Sequence, residues 1–133
     1  MRIVLDTNCL IQSIPSHSTY RRIWDSILGG QNVLCLSNEI IEEYSEILTK
    51  LTSKETAVIV LNAILNSPYV EFITPYYRFN MIQADPDDNK FVDCAIAGNA
   101  KYIVTNDHHY DILRETPFPH VDVMSITEFL ALL

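Results

Sequence analysis

The chain has 133 residues, with 48% hydrophobic and 20% charged side chains, an ordinary composition for a globular domain. That length fits a single domain over 1–133 and leaves no room for two cores. With 9 basic and 17 acidic residues the net charge is −8, which excludes a general nucleic-acid binder that works through a broad basic face.

No apolar run approaches the roughly 18 residues needed to span a bilayer, so no membrane role is expected. The opening Met1-Arg2-Ile3-Val4-Leu5-Asp6 meets an acid too early for a secretory signal and reads as a first strand, so the expected location is cytoplasmic. Cys9, Cys35 and Cys94 form no Cys-x-x-Cys pair and read as reduced core thiols.

In chain order, Ile3-Val4-Leu5 is a continuous apolar strand of the kind buried on both faces of a parallel sheet. The spacing predicts a helix over Tyr20 to Leu28, stopped by Gly29-Gly30. Val33 to Leu36 is a second strand, and Ser37 or Asn38 caps a helix with Ile40, Ile41, Tyr44, Ile47, Leu48 and Leu51 at helical spacing. Thr52-x-x-Glu55 has the form of a capping box and opens another helix that ends near Asn66-Ser67-Pro68. Val70 to Ile73 is a short strand, and the turn Asp85-Pro86-Asp87-Asp88 leads into a helix over about Asn89 to Ala100. Tyr102 to Thr105 and Val121 to Met124 are further strands, and Ser125-x-x-Glu128 boxes the start of a last helix. Strands separated by helices predict an α/β fold of three layers, with helices on both faces of a mostly parallel sheet of four to five strands.

Ligands of such sheets bind beyond the carboxyl ends of the strands. Asp6 directly follows the first strand and Asp107 follows the Tyr102 strand, so two acids from distant parts of the chain reach the same edge. On the helix after Ser37, Glu39, Glu42 and Glu46 lie about 145–165° from the centre of the apolar stripe and face water, whereas Glu43 lies about 105° away, at its rim. On the next acidic helix, Asp88 projects within about 10° of the buried face, while Asp87 and Asp93 are more than about 100° off it. Asp85 and Asp87 read as turn and capping residues. Converging carboxylates repel one another unless a divalent ion neutralises them, and an oxygen-only set suits Mg²⁺ or Mn²⁺. One or two such ions, held by Asp6, Glu43, Asp88 and Asp107, can clamp the attacking water and the leaving oxygen of a phosphodiester. His108 and His109 read as surface or substrate-facing residues.

These acids sit in Leu5-Asp6-Thr7-Asn8, in the stretch from Ser37 to Leu48, in the stretch from Asp85 to Asp107, and ahead of a closing Ser125 to Leu130. The ordered set resembles a PIN domain over essentially the whole chain, in particular the VapC-like branch of toxins in toxin–antitoxin systems. The resemblance implies a metal-dependent endoribonuclease whose acidic quartet falls on Asp6, Glu43, Asp88 and Asp107. It also implies that Thr7 or Asn8, together with Thr105, brace the acids through hydrogen bonds, and that Asp93 and Asp111 are neighbouring acids able to support the ions. An antitoxin protein and a homodimer are implied as partners, with Ile59, Leu61 and Leu65 available for the latter. Single-stranded RNA is the expected substrate, with Arg21, Arg22, Lys50, Lys90 and Lys101 as candidate phosphate contacts and Tyr20 or Trp24 as stacking rings. Two other readings are a phosphatase, disfavoured because Asn8 stands where a second Asp would act as general acid, and a non-catalytic PIN-like binding module acting through a protein partner.

Overall fold

Why the first strand is apolar from Ile3 to Leu5 is answered by its place in the sheet. The computed structural model describes residues 1–133 and contains a five-stranded, wholly parallel sheet. Its strands are β1 (Arg2–Leu5), β2 (Val33–Leu36), β3 (Val70–Phe72), β4 (Tyr102–Val104) and β5 (Asp122–Met124), in the order β3-β2-β1-β4-β5. Successive side chains of a strand point to opposite faces, and Ile3, Val4 and Leu5 are all fully buried. Both faces at β1 are therefore covered, the arrangement that demands an uninterrupted apolar run. In register, Ile3 lies between Leu34 and Tyr102, and Leu5 pairs with Val104. Because the chain leaves β1 for β2 on one side and later reaches β4 on the other, the strand order reverses between β1 and β4, where a crevice opens at the carboxyl ends.

The helices are α1 (Thr7–Ser13), α2 (Arg21–Leu28), α3 (Asn38–Leu51), α4 (Lys54–Leu65), α5 (Asn89–Ala97) and α6 (Ile126–Ala131). Two 3₁₀ helices, Pro86–Asp88 and His108–Glu115, follow the acidic turn and β4 respectively. α5 packs over β1, β2 and β4, and α3 packs against α1, α4 and α5. Together with the sheet these elements enclose a core of 31 buried hydrophobic residues, among them Cys9, Cys35 and Cys94, all three unpaired.

Local chemistry explains most of the boundaries. Ser37 caps α3 by accepting from Ile40 N at 3.3 Å, and the Ser125–Glu128 box is complete at the start of α6. α2 stops at Gly29, and Gly30 takes φ +81°, where an added Cβ would lie 2.7 Å from the Tyr69 ring. Two expectations are corrected, and one helix is added. α4 is capped by Ser53, which accepts from Thr56 N at 3.1 Å, because the Thr52 hydroxyl is already donating back to Leu48 O at 2.6 Å. α5 ends at Gly98, with Asn99 at φ +53°, so it does not continue to Ala100. α1 appears where no helix is predicted from the sequence. No helix of the chain is long and apolar enough to cross a membrane.

Candidate active site

Asp6 ends β1 and begins α1. Its extended backbone makes it the N-cap, with Oδ1 accepting from Thr7 N at 2.8 Å. The other oxygen, Oδ2, accepts from the buried Thr105 hydroxyl at 2.7 Å. That same hydroxyl oxygen accepts from Asp107 N at 3.1 Å, so a single threonine after β4 fixes both acids of the crevice. Asp107 in turn caps the following 3₁₀ helix by accepting from His109 N at 2.8 Å.

Glu43 reaches the same place from α3. The Thr7 hydroxyl donates to its Oε2, and Lys90 Nζ on α5 lies 2.8 Å from its Oε1. The partly buried Glu43 contrasts with Glu39, Glu42 and Glu46, which are exposed on the outer side of the helix. Asp88 arrives at the junction of the acidic 3₁₀ turn and α5. Its side chain is 13% exposed, and Oδ2 is buried with no hydrogen-bond partner. His109 Nδ1 stands 3.4 Å from Asp88 Oδ2 and 3.4 Å from Asp107 Oδ1, which ties these two acids to one neighbourhood. The contact with Asp88 is a close approach without hydrogen-bond geometry.

Ionisation carries the mark of crowding. Burial, followed by the Asp85, Asp107 and Asp6 carboxylates, pushes the Asp88 carboxyl up to about 6 from its usual 3.8, and His109 only partly opposes this. Burial also raises Asp6, with Glu43 and Asp107 adding to the effect and the bonds from Thr105 and Thr7 working against it. Asp6, Glu43, Asp88 and Asp107 thus act on one another electrostatically across the mouth of the β1–β4 crevice. Ligating atoms of Asp85, Asp88 and His109 lie within 4.8 Å of one another, a set that shares only Asp88 with the four predicted acids. Beside Asp6 and Asp107 runs an open groove of about 500 Å³, floored by Ile11 and Leu51 and edged by Asn8, Gln12 and Asn106.

The remaining sequence candidates separate by position. The brace on Glu43 is Thr7, while Asn8 is exposed in the groove. Asp111 pairs with His108 and Arg114 at the surface. Asp93, expected off the buried face, is buried because residues 75–84 cover that side of α5. Its Oδ1 accepts from Phe79 N at 3.1 Å, and the charges that act on it are Arg78 and Glu39 rather than any of the four acids. Of the five cations considered, Lys90 alone stands against these acids. Arg21 and Lys50 pair with Asp25 and Glu46 on their own helices, and Lys101 lies over the Tyr102 ring at the opposite end of β4. Trp24 belongs to the core, and the Tyr20 hydroxyl bonds Thr127 at 3.2 Å. What sequence reasoning missed is the Lys90–Glu43 pair and the approach of His109; no local pattern signals contacts between elements so far apart.

A fold with a parallel sheet in this order and acids gathered where the order reverses defines a family. The chain belongs to the PIN domain family, whose model matches residues 2–109. Among solved structures it is similar to VapBC2 from Rickettsia felis bound to a promoter DNA fragment, with a TM-score of 0.65 and 18% identity, covering 94% of this chain and 98% of that one. It is also similar to VapBC-1 from nontypeable Haemophilus influenzae, with a TM-score of 0.62 and 15% identity over 96% and 99% of the two chains. VapC20 from Mycobacterium tuberculosis, described as a sarcin–ricin loop cleaving toxin, aligns with a TM-score of 0.57 and 15% identity over 85% and 94%. At these identities the likeness is one of fold. Among curated proteins, no sequence relative matches the chain.

Proposed function

We propose that the protein is a Mg²⁺- or Mn²⁺-dependent endoribonuclease that acts as the toxin of a toxin–antitoxin pair. The observation that carries this reading is Asp88 Oδ2, a carboxylate oxygen buried without a partner among other acids. Buried polar atoms are nearly always satisfied, and a carboxyl held in this state takes either a proton, which its raised pKa favours, or a cation, which its acidic surroundings favour. Five of the six candidate donors, Asp6, Glu43, Asp85, Asp88 and Asp107, are carboxylates and the sixth is the His109 imidazole, and a set in which oxygen predominates suits Mg²⁺ or Mn²⁺. Asp6, Glu43, Asp88 and Asp107 would hold one or two ions, with Asp85 and His109 alongside. A bound ion there supplies charge neutralisation at a phosphodiester and lowers the pKa of the attacking water.

The chain's own residues prepare that site. Thr105 holds the Asp6 carboxylate and the Asp107 backbone in fixed relation, so the two acids are positioned before charge arrives. Thr7 and Lys90 hold Glu43, and the groove beside Asp6 and Asp107 leaves room for a strand of nucleic acid along the edge. A nucleophilic side chain is not required, which agrees with the three thiols being buried; burial pushes Cys9 up to about 12.

RNA as substrate and an antitoxin as partner draw support from the VapBC and VapC neighbours. A homodimer is the companion proposal, and Ile59, 70% exposed on α4, offers an apolar contact for it. The test is cleavage of single-stranded RNA with Mn²⁺ and with EDTA. Wild type is expected to cut only with metal, and Asp6→Asn and Asp88→Asn each to lose on the order of 10³-fold in rate. Cutting that persists in EDTA, or survives both substitutions, removes the metal mechanism.

A further inference from the structure

Residues 75–84 cross the outside of α5 without regular secondary structure, yet they are pinned at defined points. Phe79 N donates to buried Asp93, and Asn89, also buried, both donates to Ile82 O at 2.9 Å and accepts from Ile82 N at 2.8 Å. Two polar side chains of α5 are thus spent on fixing this backbone, and neither touches the acid cluster. The fixed backbone presents Tyr76 and Tyr77 to water, 88% and 75% exposed, with Arg78 next and the Phe79 ring 6.3 Å from that of Tyr77. A row of aromatic rings held out of the core is a feature of binding surfaces.

The segment touches α3 at one place and borders the acid cluster at another. Arg78 lies 3.5 Å from Glu39, one turn before Glu43 on α3, and lines a polar pocket together with Lys90. Further on, Met81, Gln83 and Ala84 share a cavity with His109, the residue that approaches both Asp88 and Asp107. Resting on the nuclease reading, we infer that residues 76–79 are the platform on which bases of the single-stranded RNA substrate stack, with Arg78 taking a flanking phosphate.

Charge explains why such a platform is needed. A chain of net charge −8 cannot gather RNA by a basic face. Stacking on aromatic rings holds any base and does not depend on ionic attraction. An arginine set between tyrosine and phenylalanine, next to phosphodiester chemistry, suits RNA. The aliphatic exposed residues Val58 and Ile59, which would suit a protein partner, lie on α4 instead.

The experiment measures fluorescence anisotropy of a labelled single-stranded RNA of about 12 nucleotides, bound with Mg²⁺ to the full chain carrying Asp88→Asn. Tyr76→Ala and Tyr77→Ala are each expected to weaken binding about tenfold, and Tyr77→Trp to restore it. Phe118→Ala, which removes a ring that is 88% exposed in the loop before β5, is expected to change nothing. The slope of log affinity against log salt is expected to be shallower than about −2, since Arg78 and Lys90, the cations of the pocket beside the platform, already face Glu39 and Glu43. With Asp88 intact, the tyrosine losses should appear in KM and not in kcat. Alanine variants that bind RNA as tightly as their parent overturn the platform and leave the surface to a protein partner. A wild-type chain that cuts no RNA with Mn²⁺ overturns the nuclease reading instead, so the two failures are told apart.

Discussion

Near the amino-terminal end of the sheet, Arg2 donates to Gly98 O from Nε at 2.8 Å and from Nη2 at 2.6 Å, and it pairs with Glu71, whose carboxyl it holds below the usual range. Across the same sheet, at the carboxyl ends of β1 and β4, Asp6, Glu43, Asp88 and Asp107 gather with Lys90 and His109 alone beside them. At the first end Arg2 and Glu71 offset each other's charge. The other concentrates one sign of charge in partial burial, which costs stability and makes sense where a cation is part of the working state.

The comparison can be broken most decisively at Lys90. Lys90→Met leaves Glu43 half-buried among acids, and urea unfolding without divalent metal should show a loss of about 3 kcal/mol. Adding Glu43→Gln in the same chain should recover most of it; a Lys90→Met chain as stable as wild type would mean the carboxyl end is not under electrostatic stress.

Asp88 sharpens the contrast through pH. Its folded pKa is raised, so the fold favours the protonated acid; stability is greatest below pH 3.8, falls as pH rises toward about 6, and is flat above that. Discounted for solvent screening, Asp88→Asn should raise stability at pH 7.5 by about 1–2 kcal/mol without metal and flatten that part of the pH profile. Thermal melts across pH check both, and a destabilised Asp88→Asn would contradict the sign. At the small end, Lys50→Ala removes an exposed pair with Glu46 on the outer face of α3 and should shift stability by less than about 0.5 kcal/mol.

How far the sequence foretold this depends on the range of the interaction. Strands with continuous apolar runs and helices with a clear stripe were legible because burial imposes its period on them, and the stripe of α3 sets partly buried Glu43 apart from its exposed neighbours. α1 was not legible: only seven residues long, it begins at Asp6, an acid that serves at once as cap and as part of the crevice. At Thr52-Ser53 two adjacent hydroxyls competed for one cap, and only the Thr52 bond to Leu48 decides between them. The burial of Asp93 and the pairing of Lys90 depend on which segments cross α5, and helical periodicity carries no information about that.

The central place of β1 has a consequence during synthesis. The strand made first hydrogen-bonds to one made about a hundred residues later, and the Thr105 hydroxyl meets an Asp6 that lies 99 positions earlier. Closing so long a loop is slow, and it cannot start while the ribosome still covers β4. A growing polypeptide therefore holds Asp6 away from Asp107, and the crevice is completed only after translation has passed both.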